Sequence, residues 1–73
     1  MMKKPLRLNS TIGRHDVVEP EDVLAMKTAL NWTGFYEIPE YGLTSTPDEP
    51  MFDGIEKFQK ENSLSVDGIV RPE

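Results

Sequence analysis

The 73-residue chain has no cysteine and only one histidine. Without cysteine, neither a disulfide nor a thiolate zinc site can form, so two usual means of stabilising a small domain are excluded. No apolar stretch approaches membrane-spanning length, so the sequence predicts no membrane span. The start, Met1 to Lys4, is similar to the beginning of a signal peptide. Polar residues follow it in place of an apolar stretch, so no conventional signal is visible.

Basic residues are scarce outside the N-terminal segment. The first 14 residues have four basic side chains and no acid, whereas the whole chain has a net charge of −5, so the remainder carries −9. The four are Lys3, Lys4, Arg7 and Arg14. The acidic remainder predicts no nucleic-acid partner, because phosphate contacts require clustered lysine and arginine. Residues 1–19 are predicted to form a basic, extended or flexible segment, either solvated or in contact with phosphate or anionic lipid.

A first helix is predicted over residues 20–33. Pro20 suits the first helical position because its missing N–H would have no partner there. Either Asp16 or Glu19 is the expected N-cap. Apolar residues then recur at three- and four-residue steps and form one stripe. These are Val23, Met26 and Leu30. Gly34 is the expected left-handed C-cap.

A second helix is predicted over residues 47–62. Thr46, Pro47 and Glu49 form the pattern of a capping box, with Thr46 as the N-cap. The apolar stripe of this helix consists of Met51, Ile55 and Phe58. Glycine is unfavourable in the interior of a helix, so Gly54 suggests a close helix–helix approach.

A turn is predicted at Asp67 and Gly68. Gly68 permits a backbone conformation that a side chain would oppose, and the Asp67 carboxylate can accept N–H groups of its own turn. Gln59 is expected to bond the backbone of the loop that crosses the second helix. These residues are therefore expected to have structural roles before any role in ligand contact.

The two helices and the turn resemble the peptidoglycan-binding domain family, a small three-helix cell-wall-binding module. The resemblance covers residues 20–70, and its strongest part runs from Phe58-Gln59 to the Val-Asp-Gly-Ile-Val turn at residues 66–70. The sequence departs from the family at Lys27, where glutamine is usual, and at Gly54, where alanine is common. It also stops where the family's third helix would begin.

The resemblance implies an all-α fold, a small helical bundle of two main helices and a C-terminal Asp-Gly turn. Residues 20–73 would form this domain, which is C-terminally short. Without a third helix, the apolar stripes are expected to be only partly covered. Dimerisation, a partner or a continuation of the chain would then have to cover them.

The resemblance also implies a non-catalytic module that recognises peptidoglycan, through its glycan or its stem peptide, without a cofactor. Wall glycan presents hydroxyls, acetamides and sugar CH faces, which suit aromatic surfaces with polar tips. Trp32, Tyr36 and Tyr41 are therefore the candidate ligand-binding residues. The alternative is that Trp32 and Tyr36 complete the small core, which leaves Tyr41 as the best candidate for an exposed contact.

Wall binding has two alternatives, an enzyme or metal-binding protein and an assembly subunit. His15, Asp16 and Glu19 could gather a metal, but a polar turn before a helix explains them better, and no nucleophile with a positioned base is evident. The sequence thus predicts neither an enzyme nor a metal site. The second alternative is a structural or interaction subunit of a virion, tail or secretion apparatus, with a protein partner or a homo-oligomer. Localisation stays open between the cell wall and such an assembly.

Overall fold

The computed structural model describes residues 8–72. It contains two helices, α1 (Pro20–Thr33) and α2 (Glu49–Glu61). Within the described range there is no strand, and the only sheet-like pairing is an isolated antiparallel bridge between Ile12 and Val70. The prediction of a small all-α fold is therefore confirmed. Neither helix is long and apolar enough to cross a membrane, as judged over the same residues.

The first helix has the predicted bounds. Pro20 occupies its first turn, and Glu19 is the N-cap residue, so Asp16 is the wrong choice of the two. Glu19 caps only through its extended backbone, because its side chain makes no capping hydrogen bond. Gly34 ends the helix with a left-handed φ of 87°, as predicted, and its N–H donates to the carbonyl of Asn31 over 3.2 Å.

The second helix begins two residues later than predicted, and its N-cap is Asp48 instead of Thr46. The Asp48 Oδ1 atom accepts a hydrogen bond from the Met51 N–H at 2.9 Å. Aspartate and threonine both cap helices well, so a local pattern cannot choose between them. The carbonyl of Thr46 instead accepts a hydrogen bond from Lys27 Nζ at 2.7 Å, which holds Thr46 in the preceding loop.

The apolar stripes of both helices face one common core. Five stripe residues are at most 5% exposed. They are Val23, Met26, Leu30, Met51 and Ile55. The chain itself therefore covers most of both stripes, and Phe58, the remaining stripe residue, is partly buried against the same cluster. Ile12 is fully buried among them, while Leu8, Val18 and Val70 pack against the same cluster.

The described part of the N-terminal segment is attached to α1 through a buried carboxylate. Asp22, which is 1% exposed, accepts hydrogen bonds from the backbone N–H groups of Asn9 and Ser10, both at 2.9 Å. It also accepts the Ser10 hydroxyl at 3.0 Å. Leu8, Ile12 and Val18 of this segment pack in or against the core of the helices. The tail predicted at Lys3, Lys4 and Arg7 lies outside the described residues, and the division of the chain at residue 19 stays a prediction.

Gly54 marks a close approach, as predicted, and its nearest neighbour is the chain that leaves α1, while Leu30 of α1 lies slightly further away. A Cβ atom at this position would lie 2.5 Å from the carbonyl oxygen of Phe35, which belongs to the chain leaving α1. The ring of Phe35 packs edge-to-face on that of Phe58, with centroids 6.0 Å apart. The small residue in α2 therefore lets the start of the loop that follows α1 lie directly on α2.

The Asp-Gly turn is held against α2 by Gln59, as predicted. The Gln59 Oε1 atom accepts the N–H groups of Asp67 (3.2 Å) and Gly68 (2.9 Å). Its Nε2 atom donates to Asp67 Oδ1 and to the Ile69 carbonyl. Gly68 has a φ of 70°, and Asp67 Oδ1 also accepts the Ile69 N–H, so the predicted roles of both turn residues are confirmed.

Candidate ligand-binding surface

The segment between the helices, residues 35–48, is called here the aromatic loop. It contains Tyr36 and Tyr41 and includes a turn in which the Gly42 N–H donates to the carbonyl of Pro39 at 2.9 Å. Asn31 Nδ2 donates to the Tyr36 carbonyl at 3.0 Å and ties the start of the loop to α1. The loop therefore presents side chains from a backbone that is tied to the helical core.

Tyr36 belongs to the core. It is 5% exposed, and its hydroxyl donates to Asp48 Oδ2 at 3.2 Å. Burial and, second, the neighbouring Asp48 charge raise the pKa of Tyr36 to about 12. Of the two roles left open for Tyr36, packing is the one that the structure displays, and its ring offers little surface to a ligand.

Trp32 and Tyr41 are the exposed aromatic residues. Trp32, in the last turn of α1, is 84% exposed, and Tyr41, in the aromatic loop, is 74% exposed. The alternative that Trp32 completes the core is therefore wrong. Both rings present an apolar face and a polar tip to solvent, which is the arrangement that the prediction of ligand contact requires. The contact itself stays a prediction.

A buried lysine lies beneath the aromatic loop, and sequence reasoning missed it. The Lys27 side chain is fully buried, and its Nζ donates to the carbonyls of Thr44 and Thr46 and to the Thr44 hydroxyl. Asp48 Oδ2 lies 3.3 Å from the same nitrogen. In the sequence Lys27 was only a departure from the family's glutamine. The signal available in the sequence was a cation next to the apolar stripe of α1. A lysine buried at such a position needs partners, because lysine is almost never buried without them.

A shallow depression of about 230 Å³ lies between residues 13–16 and 67–69. Its strongest polar groups are already used within the fold. Arg14 forms ion pairs with Glu49 (3.0 Å) and Glu56 (2.9 Å), and these two carboxylates raise its pKa. The Asp67 carboxylate accepts the Ile69 N–H and an N–H of Gln59, and these two hydrogen bonds hold its pKa below the ordinary value. The depression thus offers a ligand few free partners.

The structure contains no ready-made metal site in the part of the chain that it describes. His15 is exposed, and no group of three or more histidine, aspartate or glutamate side chains is placed to hold a metal ion within residues 8–72.

The fold is that of a small all-α domain, in which two helices share one core and a glutamine of the second helix holds an Asp-Gly turn. Residues 19–73 match the family described as "Putative peptidoglycan binding domain", and the chain belongs to that family. The family is one of binding domains and not of catalytic ones. No curated protein and no solved structure matches the chain at a significant level.

Proposed function

We propose that the chain is a non-catalytic module that binds the glycan of bacterial peptidoglycan through the exposed rings of Trp32 and Tyr41. Membership of the peptidoglycan-binding family, over three quarters of the chain, is the observation that carries the proposal. The exposure of the two rings supports the choice of residues, because both remain in solvent, whereas the aromatic residues Tyr36 and Phe52 are each only 5% exposed.

The chemistry of the ligand favours these two residues over the depression. Sugar CH faces stack on aromatic rings, and the Trp32 indole N–H and the Tyr41 hydroxyl can bond hydroxyl or acetamide oxygens. A shallow surface of this kind fits a long polymer better than a small molecule, which prefers a deep pocket. The stem peptide is the other component of the wall, and glycan strands without stem peptides distinguish binding to glycan from binding to peptide.

Sedimentation with purified insoluble sacculi tests the proposal. We expect the protein to appear in the pellet and the Trp32→Ala/Tyr41→Ala variant to bind about tenfold more weakly or worse, as expected for loss of aromatic anchors. Val17→Ala serves as the control, since Val17 is 96% exposed and lies outside the aromatic loop. Soluble glycan strands, which an amidase releases from sacculi by removing the stem peptides, should compete with intact sacculi for the protein. Absence from the pellet, or equal binding by the double variant, would refute the proposal.

The alternative of an assembly subunit has no specific observation in its favour among residues 8–72, because the helix stripes are covered within one chain. A solution mass above that of the monomer, measured by sedimentation equilibrium, would support it. A monomer that melts cooperatively would exclude homo-oligomeric assembly.

A further inference from the structure

The ammonium group of Lys27 connects the middle of α1 to the second half of the aromatic loop. Its Nζ lies 3.1 Å from both the carbonyl and the hydroxyl oxygen of Thr44, and 2.7 Å from the carbonyl of Thr46. The Asp48 carboxylate lies 3.3 Å away and supplies the opposite charge. Burial of a charge is very unfavourable unless it is paired and hydrogen-bonded. The side chain is therefore held firmly in place, and the loop backbone is held with it.

Tyr41 lies between two attachments of the aromatic loop to α1. The first is the hydrogen bond from Asn31 to the Tyr36 carbonyl, and the second is the group of bonds from Lys27 to Thr44 and Thr46. Between these attachments the described backbone bonds include only the local turn that ends at Gly42. The position of the exposed Tyr41 ring thus depends on the attachment that Lys27 makes three residues further along the chain.

We infer that Lys27 is a positioning residue that orders the aromatic loop and presents Tyr41 to the ligand; this rests on the proposed function. Glutamine cannot replace it fully, since its amide is shorter and carries no charge to pair with Asp48. Ordering the loop before binding reduces the entropy lost when the ligand is bound, and so increases affinity without a direct contact.

Loop order is tested without any ligand, in the whole chain. In Lys27→Met, we expect fast backbone motion of residues 40–46 by ¹⁵N relaxation, and exchange of the Gly42 amide about tenfold faster, the factor for losing one charge-assisted hydrogen bond. Protected α2 amides would show that the core remains folded. Lys57→Met removes the same charge from an exposed site in α2 and should change neither quantity.

If Lys27→Met does not fold, Lys27→Gln provides the same measurement with part of the hydrogen bonding retained. Wild-type relaxation and exchange in whichever of these variants folds would overturn the inference. Because no sacculi are present, this result does not depend on whether the protein binds the wall.

A double-mutant cycle on sacculus binding tests the link to Tyr41. Lys27→Met should weaken binding, and adding Tyr41→Ala should then cost little more, since the disordered ring no longer contributes. Adding Trp32→Ala should cost its full separate effect, because Trp32 lies on α1 itself. Additive effects of Lys27→Met and Tyr41→Ala would overturn the link. Failure of the wild-type protein to bind would refute the proposed function, while the loop measurement would still decide the role of Lys27.

Discussion

The side-chain oxygen of Gln59 lies 2.9 Å from the backbone nitrogen of Gly68, and this hydrogen bond joins α2 to the turn that follows it. Gln59 is 6% exposed, and its amide uses both its oxygen and its nitrogen on the turn. After this turn the chain reaches Val70, which pairs with Ile12. Gln59 thus fixes the turn on α2, and the bridge between Ile12 and Val70 joins the end of the turn to the N-terminal segment.

Substituting Gln59 by leucine should lower the free energy of unfolding by roughly 2–4 kcal/mol, because it leaves several turn groups without their partners. Lys60→Leu, at the neighbouring exposed position, should stay within about 0.5 kcal/mol of the wild type. Urea denaturation followed by circular dichroism measures both. Equal stability of the two variants would contradict the role given to Gln59.

Gly54→Ala should destabilise the protein although alanine is the better helix former. Helix propensity alone would add about 1 kcal/mol of stability, but the new Cβ would lie 2.5 Å from the Phe35 carbonyl oxygen, which belongs to the backbone and cannot rotate away. We expect a net loss of about 1–3 kcal/mol, as for overpacked cores. Lys57→Ala, at an exposed position of the same helix, is the control. A more stable Gly54→Ala protein in thermal melts would show that the approach is not tight.

Stability should decrease in acid partly through Asp22. Burial by itself would raise the pKa of this carboxyl group, but the hydrogen bonds from Asn9 and Ser10 outweigh burial and hold the pKa below its ordinary value. A lowered pKa in the folded state means that the stabilisation is present above the unfolded pKa, about 3.9, and is lost as the pH falls through the folded value.

Urea denaturation between pH 6 and pH 2.5 measures this dependence. Asp22→Asn should be less stable than the wild type at pH 6 and should lose less stability on acidification. A slope remains in the variant, because Arg14 lowers the pKa of Glu49, and the Ile69 N–H and Gln59 lower that of Asp67. Identical slopes for both proteins would contradict the assignment to Asp22.

Arg14 should stabilise the attachment of the N-terminal segment in a salt-dependent way. Its guanidinium group pairs with Glu49 and Glu56, approaches Asp53 at 3.6 Å, and lies 5.0 Å from the Phe52 ring centroid. Exposed ion pairs are screened by salt. Arg14→Met should therefore lower the melting temperature more in dilute buffer than in about 1 M NaCl.

Lys57→Met removes one positive charge from α2 and is the control for Arg14→Met. It should show a smaller change in melting temperature at low salt. An effect of Arg14→Met that does not depend on salt would assign its role to packing on Phe52 instead of the ion pairs.

The parts of the fold that depend on neighbouring residues could be predicted from the sequence. Pro20 and Gly34 mark the ends of α1, and Asp67 and Gly68 form the turn, because proline, glycine and aspartate act on their own backbone. The N-cap of α2 was placed two residues early, since Thr46 and Asp48 are both competent caps and only the distant Lys27 distinguishes them.

Features that depend on distant contacts were not predictable from local pattern. Ile12 is a lone apolar residue in a polar segment, and only its pairing with Val70 places it in the core. Lys27 becomes a buried cation because oxygen atoms 17–21 residues later surround it. In the candidate site, Tyr41 was correctly expected to be exposed, whereas neither the burial of Tyr36 nor the exposure of Trp32 could be decided.

The fluorescence of Trp32 during titration with soluble peptidoglycan fragments tests the proposed function most directly. Trp32 is the single tryptophan and is 84% exposed, so all indole emission reports on the proposed contact. Binding at this ring should shift the emission to shorter wavelength in a saturable manner, and Tyr41→Ala should raise the concentration needed for half-saturation. An emission maximum that stays unchanged at a saturating concentration of fragment would contradict a ligand contact at Trp32. This holds whether or not the protein sediments with sacculi.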